Sequence, residues 1–276
     1  MRMKFSKMHG LGNDFVVIEN LSRNITLKPE QVRHLADRRT GIGCDQLLLV
    51  EPARNRGADF AMRIFNANGT EAEQCGNGVR CVTLFVHEQG LISTPEMSIE
   101  TAGGPVISRL ASREQIAVEM GIPCLEPAGI PLLANRRALS YDLNVGGTVA
   151  TIGAVSMGNP HAVMRVDDVD TAPVSTLGPA IQEHSCFPDG ANVGFMQIID
   201  TRRIRLRVFE RGAGETPACG TGACAAVVVG REQGLLEHTV EVNLPGGRLH
   251  VAWSGGTCPV RMTGPAVRVF TGEIEI

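Results

Sequence analysis

Two stretches of this sequence repeat each other closely: QCGNGVRCVTLFVHEQGL at positions 74–91 and ACGTGACAAVVVGREQGL at positions 218–235. In each stretch a cysteine, Cys75 or Cys219, is followed by a glycine and then by a run of apolar residues. A helix that is apolar on nearly every side is typical of a helix buried inside a domain. The repeat therefore predicts two similar domains, each with a buried central helix that begins just after its cysteine.

The repeat extends well beyond these two stretches. When the cysteines are aligned without a gap, further residues superpose: Phe65 on Phe209, Asn66 on Glu210, Glu71 on Glu215, Glu88 on Glu232 and Gly90 on Gly234. Upstream, the segment 12–15 matches 158–161, and Gly43 with Gln46 matches Gly194 with Gln197. This period is too long for a solenoid. We therefore expect two domains that face each other, at 1–119 and 120–264, connected through the glycine- and proline-rich segment 121–131.

A coarse reading of each copy gives short strands and one main helix. Runs rich in β-branched and aromatic residues predict strands at 4–8, 15–19, 46–51 and 60–65, and at 162–166, 195–200 and 204–209. Proline at the first position of 29–37 indicates a smaller outer helix. Glycine pairs at 103–104, 146–147 and 246–247 are typical of turns. The fold class is therefore α+β, with each domain a mostly antiparallel sheet wrapped around its central helix.

Composition excludes several classes of protein. The chain has 276 residues, 43% of them apolar, and a net charge of −3, which is typical of a globular protein with two modest domains. Its 26 basic residues are scattered and aromatic content is 4%, so we expect no nucleic acid partner. No apolar run approaches the roughly 18 residues that span a bilayer. Without the pattern of a signal peptide, a cytoplasmic location is expected.

The eight cysteines are dispersed along the chain. This distribution favours thiols over a disulfide framework. Their spacing also lacks the close cysteine pairs of structural zinc sites, so no metal site is expected. Only Cys75 and Cys219 have matched positions in the repeat, and the remaining cysteines are interpreted as structural.

The position of these two cysteines suggests their chemistry. The N-terminus of a helix carries roughly half a positive charge, so it lowers the pKa of a thiol from about 8.5 toward neutrality and attracts anions. We therefore expect acidified thiols, and a carboxylate held by the amides of Gly76–Asn77 and Gly220–Thr221. A thiolate on one side of a small acid and a thiol on the other can remove and return the proton next to its carboxylate, inverting that carbon. No pyridoxal phosphate or other cofactor is needed for this reaction.

At this point the sequence resembles a known family. The segments MHGLGNDF (8–15), GIGCDQLLLVE (41–51), FNANGTEAEQCGNGVRC (65–81), GNPHAV (158–163), NVGF (192–195) and FERGAGETPACGTGAC (209–224) resemble the diaminopimelate epimerase family over nearly the whole chain. This family is pyridoxal-independent and belongs to bacterial lysine and peptidoglycan precursor synthesis. The resemblance implies interconversion of L,L- and meso-2,6-diaminopimelate in a cleft between the two domains.

The resemblance also implies a role for individual residues. Cys75 and Cys219 are the expected acid/base pair, with His161 and Glu210 close enough to tune their protonation. The expected substrate-binding residues are Asn13, Gln46, Asn66, Gly76, Asn77, Asn159, Asn192, Glu210, Arg211, Gly220 and Thr221, and Arg211 would meet the distal carboxylate. A C-terminal strand within 265–276 is expected to return to the first domain, and two chains to form a homodimer. Many relatives have a tyrosine near the end where this chain has Phe270, so a dimer contact through a phenol oxygen is not implied here.

Two other functions are compatible with the same residues. One is a racemase for another amino acid, such as proline or hydroxyproline, although Arg211 and the asparagines are more polar than a ring of methylenes requires. The other is a redox protein in which Cys75 and Cys219 form a regulatory disulfide. Among single residues, the asparagines are also common in turns, His161 is compatible with a buried structural role, and Arg211 could pair with Glu215.

Overall fold

The structure is a computed structural model that describes residues 2–72, 75–112 and 114–275. The helices are α1 (Pro29–Ala36), α2 (Gly76–Glu88), α3 (Val174–Gln182) and α4 (Gly220–Glu232), and a 3-10 turn spans Pro127–Gly129. The strands up to residue 119 are β1 (Arg2–Gly10), β2 (Asn13–Glu19), β3 (Gln46–Pro52), β4 (Phe60–Asn66), β5 (Glu71–Ala72), β6 (Glu96–Thr101), β7 (Gly104–Ser112) and β8 (Gln115–Glu119). The later strands are β9 (Tyr141–Val145), β10 (Thr148–Ser156), β11 (Pro160–Arg165), β12 (Asn192–Asp200), β13 (Arg203–Glu210), β14 (Gly214–Thr216), β15 (Thr239–Leu244), β16 (Gly247–Ala252), β17 (Arg261–Gly264) and β18 (Val267–Glu275).

The chain divides into two compact units. The first comprises Met1–Glu119 together with Thr263–Ile276, and the second comprises Met120–Met262. β18 pairs antiparallel with β1 and so contributes the end of the chain to the first unit. None of the helices in the described ranges is long and apolar enough to cross a bilayer.

The sheet of the first unit is mostly antiparallel. β1 pairs antiparallel with β2, β3 with β4, β4 with β5, β6 with β7 and β7 with β8. Two pairings are parallel, β2 with β3 and β4 with β6.

The sheet of the second unit repeats this order of pairings. β9 pairs antiparallel with β10, β10 with β11, β12 with β13, β13 with β14 and β15 with β16. Its parallel pairs, β11 with β12 and β13 with β15, occupy the same places as those of the first unit. The predicted α+β fold with two pseudo-symmetric domains is confirmed.

The two central helices are buried nearly all round, as their composition predicts. α2 is buried from Asn77 to Val86, and in α4 the residues from Gly220 to Gly230 are buried except Thr221. The outer helix α1 instead buries one side, through Val32, Leu35 and Ala36. Successive side chains of β3 point to opposite faces of the sheet. Leu47 and Leu49 therefore join the apolar cluster of α1, whereas Leu48 lies below the first turn of α2.

Candidate active site

Cys75 occupies the N-cap position of α2. Its backbone is extended, with φ −153°, and its sulfur accepts a hydrogen bond from the amide of Gly78 at 3.4 Å. Gly78 packs closely here, since an added Cβ would lie 3.3 Å from the side chain of Leu48 and 3.5 Å from the Cβ of Cys75. Sequence and packing together therefore place the thiol at the positive end of the helix.

In the first unit, side-chain amides predicted to bind substrate form two hydrogen-bonded pairs, one of which lies next to this thiol. The Oδ1 atom of Asn13 lies 3.9 Å from the sulfur of Cys75 and accepts a hydrogen bond from Nδ2 of Asn77 at 3.2 Å. A second pair is formed by Gln46, whose Nε2 donates to Oδ1 of Asn66 at 2.9 Å. Gly76 is the first residue of α2, so its amide points out of the helix end beside Asn77.

A network of charged side chains holds the side chain of Asn13 in place. Asn13 donates through Nδ2 to Oδ2 of Asp45 at 3.0 Å, and Arg38 bridges Asp45 at 2.8 Å to Asp14 at 2.7 Å. Lys7 also donates to Asp14, at 2.5 Å. Burial opposes the charge of Asp14, but the hydrogen bonds from Arg38 and Lys7 hold the pKa of its carboxyl well below the usual value. No local pattern in the sequence predicted this network, although Asp45 directly precedes Gln46 in the segment GIGCDQLLLVE (41–51).

Cys219 has the equivalent N-cap position in α4 but different surroundings. Only 3% of its surface is exposed, and its sulfur donates to Oε2 of Glu210 at 3.0 Å. The hydroxyl of Thr221 lies 3.6 Å from the sulfur, and Thr216 donates to the other oxygen of Glu210. Glu210 therefore links the end of β13 to the first turn of α4, which begins at Gly220.

The expected acidification of Cys219 is wrong. Burial raises the pKa of this thiol well above its ordinary value, and the negative charge of Glu210 raises it further. The sequence pattern predicted the helix end beside Cys219, but it predicted neither the burial of this thiol nor its contact with the carboxylate of Glu210. Cys219 is therefore a thiol at neutral pH.

His161 is a buried neutral imidazole. Its side chain is 1% exposed, and Nε2 donates a hydrogen bond to Oδ1 of Asn159 at 2.9 Å. Burial, with a smaller contribution from the charge of Arg211, lowers the pKa of His161 to about 3. Its hydrogen-bond partner is Asn159, whereas Glu210 contacts Cys219 directly.

Arg211 is anchored by its backbone and one end of its guanidinium. Its amide donates to Oδ1 of Asn192 at 2.9 Å, and Nη1 donates to the carbonyl of Asp189 at 2.7 Å. Asn192 is buried and also donates to the carbonyl of Pro160 at 3.2 Å. Glu215 pairs with Arg207 at 2.6 Å and not with Arg211, so the alternative pairing is wrong.

Two other cysteines have the buried environment of structural thiols. Burial raises the pKa of Cys44 to about 11 and that of Cys81 to about 12. In the part of the chain that the structure describes, no group of three or more His, Cys, Asp or Glu side chains is arranged to hold a metal ion.

Comparison with known proteins identifies similar sequences along the whole chain. The family model described as diaminopimelate epimerase matches residues 5–125 and 153–269. A protein named diaminopimelate epimerase from Alkalilimnicola ehrlichii is 58% identical over 278 residues, covering 100% of both chains. One of the same name from Pseudomonas aeruginosa is 51% identical over 276 residues, again covering 100% of both chains.

Solved structures show the same fold at low identity. A probable proline racemase from Agrobacterium radiobacter is similar with a TM-score of 0.72 and 17% identity, covering 99% of this chain and 93% of that one. A hydroxyproline epimerase from Agrobacterium vitis is similar with a TM-score of 0.71 and 18% identity, covering 99% and 91%. At such identities the likeness is one of fold alone.

Proposed function

The chain belongs to the diaminopimelate epimerase family, and on this basis we propose that it interconverts L,L- and meso-2,6-diaminopimelate. The protein is then an isomerase of lysine and peptidoglycan precursor synthesis that acts on a small molecule. The observation that carries the proposal is the pair of equivalent cysteines, each at the N-cap of a buried helix, in a chain 58% identical to a named epimerase over its full length.

We propose that the two cysteines and the helix ends beside them act on one substrate. The amides of Gly76 and Asn77 and those of Gly220 and Thr221 would hold the reacting carboxylate. When the α proton leaves, negative charge moves into this carboxylate, and the two helix ends stabilise it there. Because this charge develops only during the reaction, the stabilisation accelerates proton removal rather than merely tightening binding.

The unequal surroundings of the cysteines support unequal roles in the resting enzyme. Cys219 keeps its proton, because it is buried and donates to Glu210. In our proposal Cys75 removes the α proton from one face while Cys219 donates its proton to the other. For the reverse reaction from the resting state, Cys219 passes its proton to Glu210 and Cys75 takes one from water, so that Cys219 is then the base and Cys75 the acid. Neutral His161 positions Asn159 and adds no charge to the site.

The remaining polar residues are proposed to recognise the distal half of the substrate. Arg211 carries a planar guanidinium suited to bidentate binding of a carboxylate. Asn13, Gln46, Asn66 and Asn159 supply amides for the amino groups and for the remaining carboxylate oxygens. Asn192 is buried, and its proposed contribution is to hold the backbone of Arg211.

We further propose a homodimer in the cytoplasm. The support for a dimer lies in β18, where the apolar side chains of Val267, Val269 and Phe270 are 44%, 56% and 48% exposed. Large exposed apolar side chains close together are typical of interaction surfaces. The cytoplasmic location follows from the proposed role in lysine synthesis.

The reaction is tested by incubating the purified, reduced protein with L,L-diaminopimelate in D2O without pyridoxal phosphate. We expect the meso isomer to form with deuterium at the inverted α-carbon. The Cys75→Ala and Cys219→Ala variants should lose epimerisation, and a fully active single variant would contradict the two-base mechanism. If proline were racemised and diaminopimelate left unchanged, the proposed substrate would be wrong.

A further inference from the structure

Two ion pairs occupy equivalent places in the two units. In the first unit, Arg63 on β4 binds Glu71 on β5 through Nε to Oε1 at 2.8 Å and Nη2 to Oε2 at 3.0 Å. In the second, Arg207 on β13 binds Glu215 on β14 through the same atoms at 2.6 and 2.9 Å. Both pairs are bidentate, a geometry that fixes orientation as well as distance.

The equivalence extends to register and to the position of the cysteines. Glu71 lies opposite Phe65 in its hairpin, and Glu215 lies opposite Phe209. Each glutamate comes four residues before its cysteine, and each arginine twelve residues before it. The two ion pairs therefore tie the strand that precedes each cysteine to the longer strand beside it, in the same way.

Stability is a weak explanation for this duplication. The paired side chains are 32% and 43% exposed in the first unit and 24% and 35% exposed in the second. Ion pairs with such exposure contribute little to the free energy of unfolding. A bidentate pair at a fixed register instead restricts how far the short strand can move, which matters where a reacting atom follows a few residues later.

In the second unit the short strand also touches the acid/base machinery directly. Glu215 is followed on β14 by Thr216, whose hydroxyl donates to Glu210. Glu210 in turn accepts a hydrogen bond from the thiol of Cys219 at 3.0 Å. Movement of β14 would therefore displace both the carboxylate and the start of α4.

We infer that Arg207 with Glu215, and Arg63 with Glu71, are positioning residues that hold Cys219 and Cys75 in reactive geometry. This inference rests on the proposed function of the two cysteines. Each pair acts on the cysteine of its own unit, so loosening one pair should disturb one thiol and leave the other unchanged.

The test combines kinetics with alkylation of individual cysteines. In the Arg207→Gln and Glu215→Gln variants we expect kcat for epimerisation to fall on the order of 10-fold while KM changes by less than about 3-fold, since the group that moves is a reacting one. In the absence of substrate, iodoacetamide followed by peptide mass spectrometry should label Cys219 faster than in the wild type and Cys75 at an unchanged rate. The Arg63→Gln variant should instead change the labelling rate of Cys75 alone.

Two further variants separate geometry from charge and from folding. Arg207→Lys keeps the charge but loses the bidentate contact, so it should behave like Arg207→Gln. Arg205→Gln removes a neighbouring bidentate pair on the same strand, with Asp170, and should match the wild type in both assays. Wild-type kcat and labelling in Arg207→Lys, or equal changes at both cysteines, would overturn the inference.

Because alkylation needs no substrate, a wild-type protein inactive on diaminopimelate would refute the proposed function while the labelling pattern still decides the positioning role.

Discussion

At the scale of single residues, the contact between Cys219 and Glu210 gives a direct prediction. In Glu210→Gln the negative charge is lost, so the pKa of Cys219 should fall, although burial, the larger cause, still keeps it raised. The variant also lacks a proton acceptor, and kcat should decrease by about 10²-fold or more. The measurement is the pH dependence of Cys219 alkylation, whose midpoint should move to lower pH. A midpoint equal to that of the wild type, or to that of the control Glu237→Gln, whose glutamate pairs with Arg202, would show that Glu210 does not act on this thiol.

His161 predicts how stability depends on pH. Its folded pKa is about 3 and its ordinary value is 6.5, so between these values only the unfolded chain binds the proton. The free energy of unfolding should therefore fall as the pH decreases below about 6.5, and His161 alone should remove roughly 2 kcal/mol between pH 7 and pH 5. Urea denaturation of His161→Gln should show a correspondingly smaller loss over this range. Replacement of the exposed His250 by glutamine is the control, and an unchanged loss in His161→Gln would contradict the assignment.

At the scale of elements, the first turn of α4 predicts a variant that separates activity from stability. An added Cβ at Gly222 would lie 3.0 Å from Val208 and 3.2 Å from the sulfur of Cys219, so Gly222→Ala should displace the thiol. We expect kcat to fall by about 10-fold with little change in KM. Ala226→Gly, one turn further along the same helix, should lower stability by about 1 kcal/mol or more without this loss of kcat. Equal kcat in both variants would mean that the glycine serves packing alone.

Sequence patterns predicted some elements well and others not at all. The seven predicted strands, from 4–8 to 204–209, and both central helices are confirmed to within about two residues at most ends, because apolar runs and the repeat mark them twice. Helix α3 was missed, since Ser175, Thr176, Gly178 and Pro179 look like a loop. It forms because Val174 and Ile181 pack into the core of the second unit. The contacts around Cys219 likewise depend on residues far apart in the chain, which local patterns do not reveal.

At the scale of the whole molecule, the two units share strand order but differ at the cysteines. Glu210 contacts Cys219, whereas the aligned residue in the first unit is Asn66, which binds Gln46. The residue aligned with Thr216 is Ala72, which has no hydroxyl to donate. Duplication explains why the helix ends are alike, and these substitutions explain why the two sulfurs need not have the same protonation state. The sequence repeat aligns Asn66 with Glu210. The different contacts of the two residues, with Gln46 and with Cys219, are visible only in the hydrogen bonds of the structure.

The proposed homodimer predicts the effect of one surface substitution. Phe270 is 48% exposed on β18, and its ring packs against Phe5 at 6.0 Å between centroids. If β18 forms the contact between two chains, Phe270→Lys introduces a charge that must lose its water on association, so the dimer should dissociate at micromolar concentration. Sedimentation velocity measures this directly, with Val149→Lys, 65% exposed on β10, as the control. If the wild type were a monomer, the proposed homodimer would be wrong. If the Phe270→Lys dimer were as stable as the control, the contact between the two chains would lie away from Phe270.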